Sequence, residues 1–198
     1  MTKRDPIIVG IDLAGKAENP TGWATLKNKA VSVRHLFSNR EIVKEILNCN
    51  PTLIAIDAPL NLPRDKELTR KADREMQKQG YPVFPPRFRT MEKLTLRAIK
   101  LTKQIRHASL AVIEVHPAST RKALKMPAKD WSEIQTIFVD MGLKGDITTR
   151  KLSTHEIDAV TAALTGCLHL KQKTELIGDR REGYIVVPLK TSWRRLKL

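Results

Sequence analysis

The chain has 198 residues, with 36 Lys or Arg against 21 Asp or Glu and a net charge of +15. That length gives one domain a substantial core and is marginal for two, and an apolar fraction of 41% argues against disorder. No apolar run nears the ~20 residues that cross a bilayer, the start at Met1 lacks a signal-peptide core, and the charge favours a polyanionic partner.

A protein with no membrane partner, cytoplasmic in location, is therefore expected. Cys49 and Cys167 lie far apart without CxxC spacing, so a thiolate zinc site is disfavoured and both read as small buried hydrophobes.

Pro6 to Asp12 is nearly all apolar and reads as a strand buried on both faces, ending in an acid before Leu13-Ala-Gly15. Trp23 to Leu26 and Val31 to Leu36 complete a meander, with Asn28-Lys29 as the turn. Asn39 can cap a helix from Arg40 to about Leu47. Thr52 to Asp57 is a fourth strand, again apolar and again ending in an acid, and the intervening helix makes it parallel to the first. Residues 58–108 read as an insertion of two helices, one from about Lys66 to Gln79 and one with Met91, Leu94, Ala98, Leu101 and Ile105 on a single stripe. Ser109 to Val115 is a fifth strand carrying Glu114 near its end. The segment from Pro117 to Lys151 is less legible, apart from a helix around Trp131 to Met141. Ser153 opens a clear helix to about Lys171, Gly183 to Pro188 is a short late strand, and residues 189–198 form a basic tail.

Asp12, Asp57 and Glu114 thus fall at or near the C-terminal ends of three buried parallel strands, where ligands bind in open α/β sheets. Taken singly, Asp12-Leu-Ala-Gly15 and Asp57-Ala-Pro59 are ordinary turn starters. Taken together, three converging carboxylates repel unless protonated or neutralised, and Mg2+ or Mn2+ is the natural oxygen-seeking neutraliser. The late helix adds a fourth acid. Ser153 and Glu156 match a capping box, whereas Asp158 lies at the border of the core stripe formed by Ile157, Val160, Leu164 and Leu168 and can point at the cluster. His155 reads as a structural histidine or as a partner to one of the acids.

The insertion holds thirteen Lys or Arg against five Asp or Glu, so over half of the +15 falls in about a quarter of the chain. Arg70, Arg74, Arg87 and Arg89 are the candidate phosphate contacts, with Tyr81, Phe84 and Phe88 either stacking on bases or anchoring the loop to the core. Asp73, between arginines, reads as an internal salt-bridge partner.

The motifs Gly10-Ile-Asp-Leu-Ala-Gly15, Thr21-Gly-Trp23, Ile56-Asp-Ala-Pro59, Arg70-x-x-Asp73-Arg74, Glu114-Val-His-Pro117 and His155-Glu-x-Asp-Ala159 together resemble a family of predicted nucleases with a ribonuclease-H-like fold. The resemblance covers most of the chain and is weakest from Ala118 to Leu152. It implies one ribonuclease-H-like α/β domain over residues 1–198, built on a mixed five-stranded sheet with flanking helices and the helical insertion between strands four and five. It also implies metal-dependent phosphodiester hydrolysis of DNA or RNA, with Asp12, Asp57 and Asp158 as the carried-over ligand positions and Glu114 as a candidate fourth. Two alternatives stand beside it. One is an actin-like nucleotide-dependent phosphotransferase, whose phosphate turn Asp12-Leu-Ala-Gly15 partly mimics. The other is a non-catalytic nucleic-acid-binding protein on the same fold.

Overall fold

The computed structural model describes residues 5–198; the reading of the N-terminus made above falls in part on residues outside that range. Strands β1 (Ile8–Asp12), β2 (Thr21–Lys27) and β3 (Ala30–Leu36) form the meander. Asn28 and Lys29 turn the hairpin, both with positive φ, as a two-residue turn between twisted strands requires. Helix α1 (Asn39–Cys49) is capped by Ser38 rather than by Asn39: the Ser38 hydroxyl accepts from the Glu41 N–H at 3.1 Å. Ile42 and Ile46 are its buried face.

Strand β4 (Leu53–Asp57) pairs in parallel with β1, as the crossover through α1 requires. The insertion contributes α2 (Lys71–Lys78) and α3 (Glu92–His107). Helix α2 begins five residues later than the sequence pattern predicts. Arg70 stands at its N-terminus in extended conformation, and its backbone N–H donates to the Asp73 carboxylate at 2.8 Å. Beyond β5 (Val112–Val115) lie α4 (Pro117–Ala123), α5 (Trp131–Asp140), β6 (Lys144–Gly145), α6 (Asp146–Thr149), α7 (Thr154–Leu170), β7 (Thr174–Asp179) and β8 (Gly183–Pro188). A short 3-10 turn, Trp193–Arg195, follows. Trp193, Leu196 and Leu198 pack on the core, so the basic tail is docked.

The strands form one mixed sheet in the order β6-β3-β2-β1-β4-β5-β8-β7. It has eight strands where five were expected. β8 extends it in parallel from β5, and β7 returns antiparallel along β8. β7 was not legible because its sequence, Thr-Glu-Leu-Ile-Gly-Asp, is half polar and only Ile177 is fully buried.

Helix α7 covers one face of β1, where Ile8 joins Ile157, Val160 and Leu164 in one core. α1 and α3 cover the other, where Val9, Ile11, Ile54 and Ile56 meet Ile42, Ala98 and Leu101. Gly10 and Gly22 set how closely α7 approaches. A Cβ on Gly10 would lie 2.0 Å from the Ala159 carbonyl oxygen, and one on Gly22 would lie 2.0 Å from that of His155. Among the described residues, no helix is long and apolar enough to cross a membrane.

Candidate functional site

Asp12 and Asp57 are direct register partners at the C-terminal ends of adjacent parallel strands. Side chains at paired positions share a face of the sheet. Asp12 follows Ile8 and Gly10 on the face covered by α7, so both carboxyls point toward that helix. The first turns of α7 bring His155 and Asp158 to meet them. His155 Nδ1 lies 2.6 Å from Asp12 Oδ2, which makes this histidine a direct partner of an acid.

Glu114 is a different case. Its register partner is Ile56, while Asp57 pairs with Val115. The alternation of side chains therefore puts Glu114 on the opposite face from Asp57. There the Glu114 carboxylate accepts from the Leu60 N–H at 2.8 Å and takes both terminal nitrogens of Arg70, at 2.7 and 2.6 Å. The strand-end position was readable in the sequence; the one-residue offset was not.

Electrostatics separate the acids further. Burial, reinforced by the charges of Asp12 and Asp158, pushes the Asp57 carboxyl well above the usual carboxylate range, and Arg121 offsets only part of this. Among the described residues Asp57 forms no ion pair, whereas Asp12 pairs with His155 and Asp158 with Arg121. Burial also raises Asp158, against the lowering influence of Arg121. His155 is raised, chiefly by its hydrogen bond to Asp12, which favours its protonated form. His116, buried and close to Arg121, is pushed down to about 4 and is neutral at ordinary pH; its Nδ1 lies 2.7 Å from the Ser119 hydroxyl.

Arg121 and His116 come from the stretch whose sequence was least legible. Pro117 stands at the first position of α4, which starts that helix immediately after β5 and carries Arg121 back to Asp158. The guanidinium is buried and lies 5.1 Å from the centroid of the Trp131 ring on α5. A helix after β5 was the missing step that would have exposed this arginine in the sequence.

Asp12 and Asp57 open onto a pocket of about 200 Å³ that is also lined by Glu114, His116, Val83, Phe84 and Leu94. The insertion thus forms part of its wall. A shallower depression of about 800 Å³, beside Gly15 in the loop after β1, is lined by Arg40, Arg97 and Lys100. Arg97 fixes that loop: it donates to the carbonyls of Ala14 and Lys16 at 2.6 and 2.9 Å, to Asn39 Oδ1 at 2.9 Å, and to the Phe37 carbonyl.

The four arginines assigned to nucleic acid do not behave alike. Arg70 is a correction: it is 0% exposed, locked between Glu114 and Asp73, and has no face for a phosphate. Those carboxylates raise its pKa against the lowering effect of burial. Arg74 is on the surface, paired with Glu67 at 2.8 Å. Arg87 donates to the Asp65 carbonyl at 3.2 Å, and Arg89 is exposed. The aromatics divide as well. Tyr81 is buried in a core with Ala72 and Met76, whereas Phe84 and Phe88 are 62% and 50% exposed.

The donors suit a hard cation, since Asp12 and Asp57 are neighbouring carboxylates and Asp57 pairs with no cation among the described residues. Among the described residues, no group of three or more His, Cys, Asp or Glu lies close enough to hold a metal ion.

Comparison with solved structures finds the fold in Thermus thermophilus RuvC. RuvC in complex with a Holliday junction substrate matches with a TM-score of 0.55 at 13% identity, over 84% of this chain and 96% of that one. A second Thermus thermophilus RuvC structure matches with a TM-score of 0.48 at 15% identity, over the same shares of the two chains. The first match shows the ribonuclease-H-like arrangement of a mixed sheet flanked by helices. No curated protein matches. The family model described as "Protein of unknown function (DUF429)" matches residues 10–136, which takes in β1, β4, the insertion, β5 and α4. By that match, which spans more than half of its length, the chain belongs to the DUF429 family.

Proposed function

We propose that this protein is a divalent-metal-dependent nuclease that hydrolyses phosphodiester bonds in nucleic acid. The observation that carries the reading is the side-by-side placement of Asp12 and Asp57 at neighbouring strand ends, with Asp57 half-buried and in no ion pair among the described residues. A carboxylate in that state calls for a cation, and Mg2+ or Mn2+ commonly takes one or two carboxylates together with substrate phosphate. Asp12 and Asp57 would hold the ion, with Asp158 nearby on α7 in its ion pair with Arg121. When bound, the ion would polarise the phosphodiester and lower the pKa of water.

The chain's own groups account for the rest. His155 orients the Asp12 carboxylate through Nδ1. The apolar wall of Val83, Phe84 and Leu94 limits the water around the acids. Arg74, Arg87 and Arg89 on the insertion, with Arg40 and Lys100 beside the loop after β1, supply the positive surface along which a phosphate backbone would lie. The RuvC likeness supports the fold on which this reading rests.

A second reading has its own observation. His155 and Arg121 already partner two of the three acids, as they would in a protein that binds nucleic acid without cutting it. Incubation of end-labelled DNA and RNA oligonucleotides with Mn2+ and purified protein separates the two. Cleavage by wild type that vanishes in Asp57→Asn supports the nuclease. Retained binding with equal, background cleavage by both proteins supports the binder.

A further inference from the structure

We infer that the site takes a single divalent cation, between Asp12 and Asp57, and that Arg121 supplies the fixed positive charge where a two-metal nuclease would place its second ion. This rests on the nuclease reading and refines it.

Two-metal phosphoryl-transfer sites hold two cations about 3.5–4 Å apart, each needing carboxylate ligands. Here the carboxylates are divided. Asp12 and Asp57 stand together on neighbouring strands, which suffices for one ion. Asp158, the third acid on this face, is taken by the Arg121 guanidinium. Glu114 lines the same pocket but projects from the opposite face of the sheet, and its carboxylate is already held by Arg70 and the Leu60 N–H.

Arg121 is built to stay where it is. It is 3% exposed, set by a helix that starts at Pro117, and held over the Trp131 ring. Its Nε is buried and has no hydrogen-bond partner among the described residues. Its charge reaches Asp57 as well as Asp158, so it repels a second cation from the same space. An arginine placed this way can offset the charge that builds on phosphate oxygens, as arginines do in other phosphoryl-transfer sites.

The test counts Mn2+ bound per chain, by calorimetric titration and by the paramagnetic resonance signal of free Mn2+, without substrate. Wild type should bind one ion and Arg121→Lys, which keeps the charge, should also bind one. Arg121→Gln, which frees Asp158, should bind two. Two ions on wild type would overturn this inference and leave the nuclease reading in place, as would one ion on a folded Arg121→Gln. No ion on wild type or Arg121→Gln would overturn the metal reading and this inference with it. Should Arg121→Gln fail to fold by circular dichroism, the counts for wild type and Arg121→Lys decide the question.

Discussion

Arg70 and Glu114, 44 positions apart in sequence, face each other through two parallel hydrogen bonds of 2.7 and 2.6 Å, with the arginine fully buried and the glutamate 5% exposed. Asp73 completes the group from the other side of the guanidinium, at 2.8 Å. The arrangement ties the first turn of α2 to the end of β5 and so fixes the insertion against the sheet.

Removing one partner of such a group leaves a buried charge uncompensated. Arg70→Met strands two carboxylates and should cost about 3–5 kcal/mol, read by urea denaturation. A phosphate-binding arginine at the surface would cost well under 1 kcal/mol, so a small effect would return Arg70 to the phosphate-binding surface.

Asp57→Asn should behave in the opposite sense. Burial and the neighbouring acids raise the folded-state pKa of Asp57, so its charged form destabilises the fold. The penalty appears as pH rises above the unfolded carboxyl value and is complete once pH passes the folded value. Without metal, the variant should therefore melt higher than wild type at neutral pH, and the two should converge at low pH. For a chain of this length, 1 kcal/mol moves Tm by about 2–4 °C, and a gain of that order is expected. With Mn2+ added, wild type should gain stability and the variant should not. A variant less stable than wild type at neutral pH would show that Asp57 is already satisfied.

Glu156 lies two residues from Asp158 and does different work. Its carboxylate accepts from the Ser153 N–H at 2.9 Å and pairs with Arg150 at 2.5 Å, closing a capping box on α7. Burial opposes ionisation, yet Arg150 and the Ser153 backbone prevail and bring the carboxyl down to about 2. Its contribution is thus present above the ordinary glutamate pKa and is lost as pH falls toward about 2. Glu156→Gln should cost about 0.5–2 kcal/mol at pH 7 and nearly nothing at pH 2, by thermal melts across that range. Mn2+ binding should survive the substitution; its loss would place Glu156 in the metal site.

The basic surface is tested by salt. Binding to a single-stranded oligonucleotide should weaken linearly in log salt, by about 0.7 per phosphate neutralised. Replacing Arg74, Arg87 and Arg89 together with Gln should reduce the slope by roughly 2, measured by fluorescence anisotropy. An unchanged slope in the folded triple variant would move the contact elsewhere, with Arg40 and Lys100 the next to replace.

Much of this arrangement could be read from the sequence wherever one element dictated the outcome. The apolar runs ending in Asp12 and Asp57 gave two parallel neighbours, and Ser153 with Glu156 gave the start of α7. The Asp73 salt bridge was legible because an acid between arginines has few other uses. What escaped depends on pairs of elements. Strand register decides which face receives Glu114, and a sequence does not print register. Arg70 looked like a surface cation because its two acids come from different segments. Arg121 was hidden because α4 is only seven residues long, too short for a helical period to stand out. The mixed pattern of β7 hides it, and the polar residues before Arg70 do not mark where α2 starts.

The close seating of α7 on β1 and β2 has a consequence for biosynthesis. Asp12 and His155 are 143 positions apart, and the ribosome makes that distance in roughly 7–30 s at ~5–20 residues per second. During that interval the first strand has been made, but the helix whose backbone meets Gly10 and Gly22 has not. Ile8 and Leu26 then lack the cover that α7 later gives them, and Asp12 lacks both His155 and its neighbour Asp158. The carboxylate constellation therefore does not exist on the nascent chain. Whatever chemistry it performs begins only after α7 closes over the sheet, so a chain broken off before residue 154 carries both strand-end aspartates and no assembled site.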